Sequence, residues 1–165
     1  MNAEFEPYVQ KYSTDLTRFC LSLYNNKYDA EDLFQETWLK ALKNLNKYNI
    51  EKPFDKWLFA ICANVFKDRK RLFFNRQKVE FSSDEEKSAF LNSIPDISSE
   101  NSFMYFELHN AVSTLPKKER VVLALYYFKD YTIKEISEIL NIPESTVKSR
   151  LKKAKSDLKR RLGYE

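Results

Sequence analysis

The feature of this sequence that most limits its fold is the near absence of glycine. One glycine, Gly163, occurs in 165 residues, and it lies close to the C-terminus. The turns of β-rich folds, phosphate-binding loops and nucleophile elbows all need glycine at fixed positions. The chain is therefore expected to be all-α, and glycine-dependent nucleotide-binding and hydrolase motifs are excluded.

The supply of ligand-type residues argues against a metal centre. Two cysteines, Cys20 and Cys62, and one histidine, His109, cannot complete the Cys/His ligand set of a structural zinc site. We expect the cysteines to pack inside helices, with a disulfide between them left open as an alternative, and His109 to lie on the surface or between helices. No cofactor, metal or small-molecule substrate is expected.

The distribution of apolar residues argues against a membrane segment. A membrane-spanning helix requires about 18 consecutive apolar residues, and no apolar run in this sequence approaches that length. The N-terminus also lacks the pattern of a secretion signal, in which basic residues precede an apolar segment. These features predict a soluble, cytoplasmic protein.

Residues 131–162 predict two helices joined by a tight turn. Thr132 and Glu135 have the spacing of a capping box, so a helix should begin directly after Thr132. Asn141 favours the left-handed conformation that ends a helix, and Pro143 disfavours helical geometry at the residue before it. This order of signals predicts a helix-turn-helix.

The second helix of this pair, expected to begin at Glu144 or Ser145, is strongly basic. Eight Lys or Arg residues oppose two acids between Glu144 and Leu162. Its apolar residues recur at steps of four, three and four along one stripe: Val147, Leu151, Ala154 and Leu158. A helix with one buried stripe and a basic face fits the major groove of DNA. The alternative is a solvated basic helix on the surface of a bundle.

Apolar residues at helical spacing predict three more helices in the N-terminal part of the chain. They are expected over Phe5–Tyr24, from Asp29 onward, and from about Phe54 to Phe74, with a polar connector over Asn46–Pro53. The buried stripe of the second of these helices is predicted to consist of Leu33, Phe34, Thr37, Trp38, Ala41, Leu42 and Leu45. The last of these helices becomes basic and carries interleaved aromatic residues. That pattern fits either a nucleic-acid contact or core rings beside solvated charges.

An acidic segment divides the chain. Residues 79–102 carry six acids and one lysine, with several serines and a proline, which predicts a flexible linker with one short helix around Glu85–Leu91. The expected architecture is therefore two small helical domains, 1–78 and 103–165, the second built of four short helices.

Several segments resemble bacterial RNA polymerase sigma factors. Residues 29–38, DAEDLFQETW, resemble the second conserved region, and residues 54–64, FDKWLFAICAN, are similar to the promoter-melting segment that follows it. In the C-terminal part, Leu115-Pro116, Glu135-Ile136 and residues 142–151, IPESTVKSRL, resemble the fourth region. The two-domain form, without the additional regions of primary sigma factors, resembles the extracytoplasmic-function (ECF) class.

This resemblance implies a protein that binds core RNA polymerase and promoter DNA and directs transcription initiation, without being an enzyme. It assigns polymerase contacts to Asp32, Gln35 and Glu36. It assigns the melted promoter element to the connector and to Asn64, Lys67, Asp68 and Arg71. On the recognition helix it places Lys148, Ser149 and Lys152 near base edges and Ser145, Thr146, Arg150, Lys153 and Lys155 near phosphates. An anti-sigma factor is a further partner that the class suggests.

The resemblance also exposes one departure from primary sigma factors. Where those proteins carry paired tryptophans that wedge the duplex, this chain has Ala60 and Ile61, as in the ECF class. We therefore predict weak melting and strict dependence on a good promoter.

Two other functions compete with this interpretation. A helix-turn-helix regulator that binds duplex DNA without polymerase would explain the C-terminal part, but such proteins usually add an α/β receiver or ligand domain. A helical interaction module would leave two basic faces unexplained. An enzyme is disfavoured because no grouping of nucleophile, base and orienting residue emerges.

Overall fold

The structure is a computed structural model, of which we describe residues 3–69 and 102–163. Within these ranges the chain forms seven α-helices and a 3₁₀ turn, and no strand. The all-α prediction is confirmed. Residues 79–101 of the predicted linker, including its short helix, and Arg71 lie outside the described residues, and Ser102, the last residue assigned to the linker, begins a helix. The helices are α1 Glu6–Leu23, α2 Lys27–Lys43, α3 Phe54–Asp68, α4 Ser102–Ser113, α5 Lys117–Tyr127, α6 Ile133–Leu140 and α7 Glu144–Arg161, with the 3₁₀ turn at Leu45–Lys47.

Helices α1–α3, here called the N-terminal domain, pack around aromatic rings. Phe54, at the first position of α3, is 4% exposed. The Tyr8 ring stacks on it at a centroid distance of 4.1 Å, and the rings of Tyr48 and Trp38 lie 5.2 and 6.4 Å away. These contacts tie the start of α3 to α1, to α2 and to the connector.

The second helix begins two residues earlier than the sequence predicts. Asn26 forms its cap, because the side-chain Oδ1 accepts hydrogen bonds from the backbone N–H groups of Tyr28 and Asp29 at 2.8 and 3.4 Å. The helix therefore starts at Lys27 rather than Asp29. Asparagine is among the best N-cap residues, so the signal was present in the sequence.

The third helix ends earlier than predicted. It stops at Asp68, and Arg69 adopts an extended conformation with φ −65° and ψ 116°. The prediction of one continuous helix past Asp68 is therefore wrong, because the chain leaves helical geometry at Arg69, and its predicted continuation over residues 70–74 lies outside the described residues. Side chains of the C-terminal domain contact this helix end, as described below.

Cys20 and Cys62 join α1 to α3 in the core. Both are buried free thiols, and their Sγ atoms lie 3.9 Å apart. Burial, followed by the neighbouring Cys62, raises the pKa of the Cys20 thiol well above its ordinary value. The expectation of packing residues is confirmed, and the disulfide alternative does not hold.

Helices α4–α7, here called the C-terminal domain, contain the predicted helix-turn-helix. Thr132 Oγ1 accepts from the Glu135 N–H at 3.1 Å, and Glu135 Oε1 accepts from the Thr132 N–H at 3.2 Å. The backbone hydrogen bond from Thr132 lowers the pKa of Glu135. Asn141 ends α6 in the left-handed region with φ 54°, and α7 begins at Glu144. Both cap predictions are confirmed.

The apolar stripe of α7 anchors this domain. Val147, Leu151 and Ala154 are buried and Leu158 is half-buried. They pack with α5 and α6, whose fully buried residues include Ile136. One stripe therefore fixes α7 and leaves the rest of its circumference to solvent.

The two domains pack against each other. Helices α1 and α3 contact α4, α5 and α6, so the first helix of the helix-turn-helix lies against α3. His109 lies between the domains and is 2% exposed, which settles its position between helices and not on the surface. Among the described residues, no helix combines the length and apolarity needed to cross a bilayer.

Candidate nucleic-acid and polymerase interface

The outer face of α7 is basic and open to solvent. Lys148, Ser149 and Lys152, predicted to approach base edges, are all exposed. Of the predicted phosphate contacts, Ser145, Lys153 and Lys155 are exposed, and Thr146 and Arg150 are half-buried. The structure therefore brings all eight residues together on one helix, on the sides that the buried stripe leaves free.

Two of these lysines have partners on α5. Lys153 Nζ lies 3.7 Å from Oε1 of Glu119, a buried carboxylate whose pKa is raised by burial and by the neighbouring Asp157. Lys155 Nζ lies 5.5 Å from the ring centroids of both Tyr126 and Tyr127, and its hydrogen bond with Tyr127 raises the pKa of Lys155. Sequence spacing within α7 could not reveal partners on another helix.

The predicted promoter-melting face occupies the last two turns of α3. Asn64, Lys67 and Asp68 are exposed there, and Ala60 one turn earlier is half-buried. Three side chains with hydrogen-bonding groups therefore share one open surface near the C-terminal end of α3.

The connector before α3 is an ordered turn. The Glu51 N–H donates to Asn49 Oδ1 at 3.0 Å, and Tyr48 Oη donates to the Lys52 carbonyl at 2.5 Å. Ile50 at its tip is 80% exposed. The sequence analysis did not single out Ile50 as a surface residue. Its position as an apolar residue inside a polar connector could have indicated this exposure.

The predicted polymerase-binding residues lie on one side of α2. Gln35 is exposed and Asp32 and Glu36 are half-buried. Each carboxylate has a nearby cation: Lys40 Nζ lies 4.0 Å from Glu36 Oε1, and Arg69 Nη2 lies 3.7 Å from Asp32 Oδ2. The face is acidic, but its charges are already partly compensated.

Two leucines extend this face and were missed. Leu39 is 58% exposed and Leu42 is 36% exposed, one and two turns beyond Gln35. The prediction that Leu42 belongs to the buried stripe is wrong, because the helices packed against α2 leave that side open. Leu39 lies outside the predicted buried stripe, and this position could have indicated that it is exposed. Exposed apolar side chains grouped beside polar ones are typical of protein-binding surfaces.

The fold and these surfaces define a helix-turn-helix protein of the class that binds DNA. Residues 8–72 match the family described as Sigma-70 region 2, and residues 105–158 match Sigma-70, region 4. A regulator lacking a sigma region 2 would leave the first match unexplained, so that alternative is not favoured.

Curated relatives narrow the class. The chain is 36% identical to the ECF RNA polymerase sigma factor SigM of Bacillus subtilis, over 91% of this chain and 90% of that protein. It is 30% identical to SigW of the same organism, over 96% and 88% of the two chains. The chain belongs to the ECF family of RNA polymerase sigma factors and directs transcription initiation.

Solved structures share its fold. The sigma factor RpoE from Bartonella quintana, solved in complex with the anti-sigma factor NepR, has a TM-score of 0.71 and 19% identity, over 98% of both chains. CnrH, solved with the cytosolic domain of CnrY, has a TM-score of 0.67 and 19% identity, over 96% of this chain and 87% of that chain.

Proposed function

We propose that three surfaces of this sigma factor divide its work. The outer face of α2 docks on core RNA polymerase, the end of α3 with its connector meets the melted upstream promoter element, and α7 reads the farther element. The observation that carries the proposal is the row of exposed lysines on α7, on a helix-turn-helix whose first helix is capped at both ends; the row consists of Lys148, Lys152, Lys155 and Lys159.

The docking face combines polar and apolar groups. Gln35 and Glu36 supply an amide and a carboxylate, and Leu39 and Leu42 supply apolar area beside them. Apolar contacts at the centre of such a patch contribute most of the affinity, and the charges set orientation and on-rate. A partner surface with basic groups around an apolar strip fits this face.

The promoter-melting surface is built for modest opening. Holding a base out of the stack costs a few kcal/mol, and Asn64, Lys67 and Asp68, with Arg71, offer hydrogen bonds and charge to offset it. Ala60 and Ile61 supply no wedge, so strict dependence on a good promoter follows. A footprint of open complexes on many degenerate promoters would contradict this role.

The recognition helix separates specific from general contacts. Lys148, Ser149 and Lys152 face outward, where base edges would lie, and the flanking Lys153 and Lys155 suit phosphates. Lys152→Ala should therefore lose about 1–3 kcal/mol of discrimination between promoter and random duplex. Lys155→Ala should weaken binding to all sequences alike and reduce the salt dependence. Holoenzyme binding to both duplexes over a salt series measures this difference, and equal effects on both would overturn the assignment.

The setting of this function also belongs to the proposal. We assign domains to 1–78 and 103–165, joined by 79–102, which agrees with the two matched family segments. Action on RNA polymerase places the protein in the cytoplasm. An anti-sigma factor is a partner we propose because RpoE, which shares this fold, was captured with the anti-sigma factor NepR.

Run-off transcription with purified core polymerase on genomic fragments tests the function directly. The wild-type chain should create defined start sites, and promoter binding in gel shifts should require core polymerase. Leu39→Asp should abolish both, because a charge replaces an apolar contact. Leu108→Asp, a matched change at a 37% exposed leucine of α4, should retain both. Promoter binding that does not need core polymerase would contradict the proposal.

A further inference from the structure

The end of α1 is capped by side chains from the C-terminal domain. The last carbonyl groups of a helix have no partner within the helix and carry partial negative charge. At the end of α1, His109 Nε2 donates to the Leu21 carbonyl, and Arg120 Nη1 donates to the Leu23 carbonyl at 2.9 Å. A helix end in one domain is therefore satisfied by the other.

The end of α3 is capped in the same way. Lys117 Nζ donates to the carbonyls of Phe66 and Arg69 at 3.1 and 2.5 Å. Its ammonium and the Arg120 guanidinium also lie 5.3 Å from the Phe66 ring centroid. The interface thus depends on cations of α5 meeting helix ends of the N-terminal domain.

Further contacts close the opposite end of the interface. Tyr131 Oη donates to Asp55 Oδ2 at 2.7 Å, and Lys56 Nζ lies 3.2 Å from Glu135 Oε2. Both pairs join the start of α3 to the region of the helix-turn-helix. Both pairs are polar, whereas the buried apolar residues of the two domains form one continuous cluster.

Arg69 takes part both in the capping contact at the end of α3 and in an ion pair on the docking face of α2. Its carbonyl accepts from Lys117 across the domain interface. Its guanidinium donates to the Asp29 carbonyl at 3.2 Å and lies 3.7 Å from the Asp32 carboxylate on the docking face of α2. The extended backbone at Arg69 lets its two ends point to different partners.

We propose that Arg69 couples polymerase docking to release of the C-terminal domain. The proposal rests on the function assigned above, in which Asp32 contacts polymerase. A basic group of polymerase that engages Asp32 competes with the Arg69 guanidinium. Once that pair is broken, the extended segment that presents its carbonyl to Lys117 loses an anchor, and the capping contact weakens.

Thermodynamic linkage makes this coupling reciprocal. If docking weakens the interface, then weakening the interface must favour docking by the same factor. Lys117→Met removes both capping hydrogen bonds without touching the docking face, so it should tighten polymerase binding. Because the coupling passes through the half-exposed Arg69–Asp32 ion pair, whose contribution is modest, we expect about a two- to fivefold decrease in Kd.

Energy transfer between two labelled cysteines measures the opening. Gln10→Cys on α1 and Ser156→Cys on α7 are exposed sites, whereas native Cys20 and Cys62 are buried and escape labelling. Transfer in the free wild-type chain should be high and should fall when core polymerase is added. Lys117→Met and Arg69→Met should lower transfer before polymerase is added.

Two further variants separate coupling from general weakening. Asp32→Asn should open the free chain like Arg69→Met, yet it should bind polymerase more weakly. Lys27→Met breaks an exposed ion pair with Glu31 on the same helix and should leave both transfer and affinity unchanged. Polymerase binding with unchanged transfer, or a wild-type Kd for Lys117→Met, would overturn the coupling alone. Failure of the wild-type chain to bind polymerase would instead overturn the function on which it rests.

Discussion

Each of the two domains is stabilised internally by a different kind of interaction. In the N-terminal domain, rings from every element converge on Phe54, and Phe19 and Phe59 form a second edge-to-face pair at 5.0 Å. In the C-terminal domain the buried residues are mainly aliphatic, and the eight-residue α6 is capped by Thr132 and Asn141 at its two ends. One domain positions its surface by side-chain volume, the other by control of the backbone.

This difference indicates which substitutions should most disturb each domain. Large rings bury much area each, so a single truncation in the N-terminal domain removes many contacts. The eight-residue α6 is too short to be stable alone. Its stability therefore depends on its capping residues and on its packing against other helices. The following changes test that contrast, beginning with the largest.

Phe54→Ala should be the most damaging. It removes a ring that is 4% exposed and contacts α1, α2 and the connector, so we expect a loss of about 3–5 kcal/mol in the free energy of unfolding. Urea denaturation followed by circular dichroism measures it. Ile50→Ala, at an 80% exposed site, should change the value by less than about 0.5 kcal/mol. Similar losses for both variants would refute the role of the ring cluster.

His109→Gln tests the contact between the domains. Burial lowers the pKa of His109 from 6.5 to about 4, so the unfolded chain binds a proton at pH 5 and the folded chain does not. Stability should therefore fall by about 2 kcal/mol between pH 7 and pH 5 through this group. Glutamine can still donate to the Leu21 carbonyl but does not titrate, so the variant should lose that part of the pH dependence. Identical pH profiles would be inconsistent with the buried neutral imidazole.

Thr132→Ala tests the importance of helix ends in the C-terminal domain. The change removes the acceptor for the Glu135 N–H and should cost about 1 kcal/mol. Thr14→Ala, at an exposed position of α1, should cost less than about 0.5 kcal/mol. Thermal unfolding of both variants gives the comparison, and equal effects would argue against the capping box.

Glu119→Gln should have the smallest effect and the opposite sign. Burial and Asp157 raise the pKa of Glu119, so the ionised carboxylate opposes folding once the pH exceeds its ordinary value. The Lys153 ion pair offsets part of this penalty. We expect a gain of less than about 1 kcal/mol at pH 7, measured by urea denaturation at pH 7 and pH 5, and shrinking at the lower pH. A marked loss of stability at pH 7 would show that the ion pair dominates.

The accuracy of the sequence predictions follows the same division. The helix-turn-helix was predicted to the residue at Thr132 and Asn141 and to within one residue at Glu144, because caps and turns are local. The end of α3 and the exposure of Leu42 were predicted wrongly, since both depend on packing between distant segments. The docking, melting and recognition residues came from resemblance, and nothing in their spacing indicated the partners of Arg69 or Lys153.

The ring cluster of the N-terminal domain has a spectroscopic consequence. Both tryptophans of the chain, Trp38 and Trp57, lie in it. Their emission is a built-in reporter of that domain, because residues 102–165 contain no tryptophan. Selective excitation of indole would therefore follow the unfolding of the N-terminal domain without a signal from the C-terminal domain.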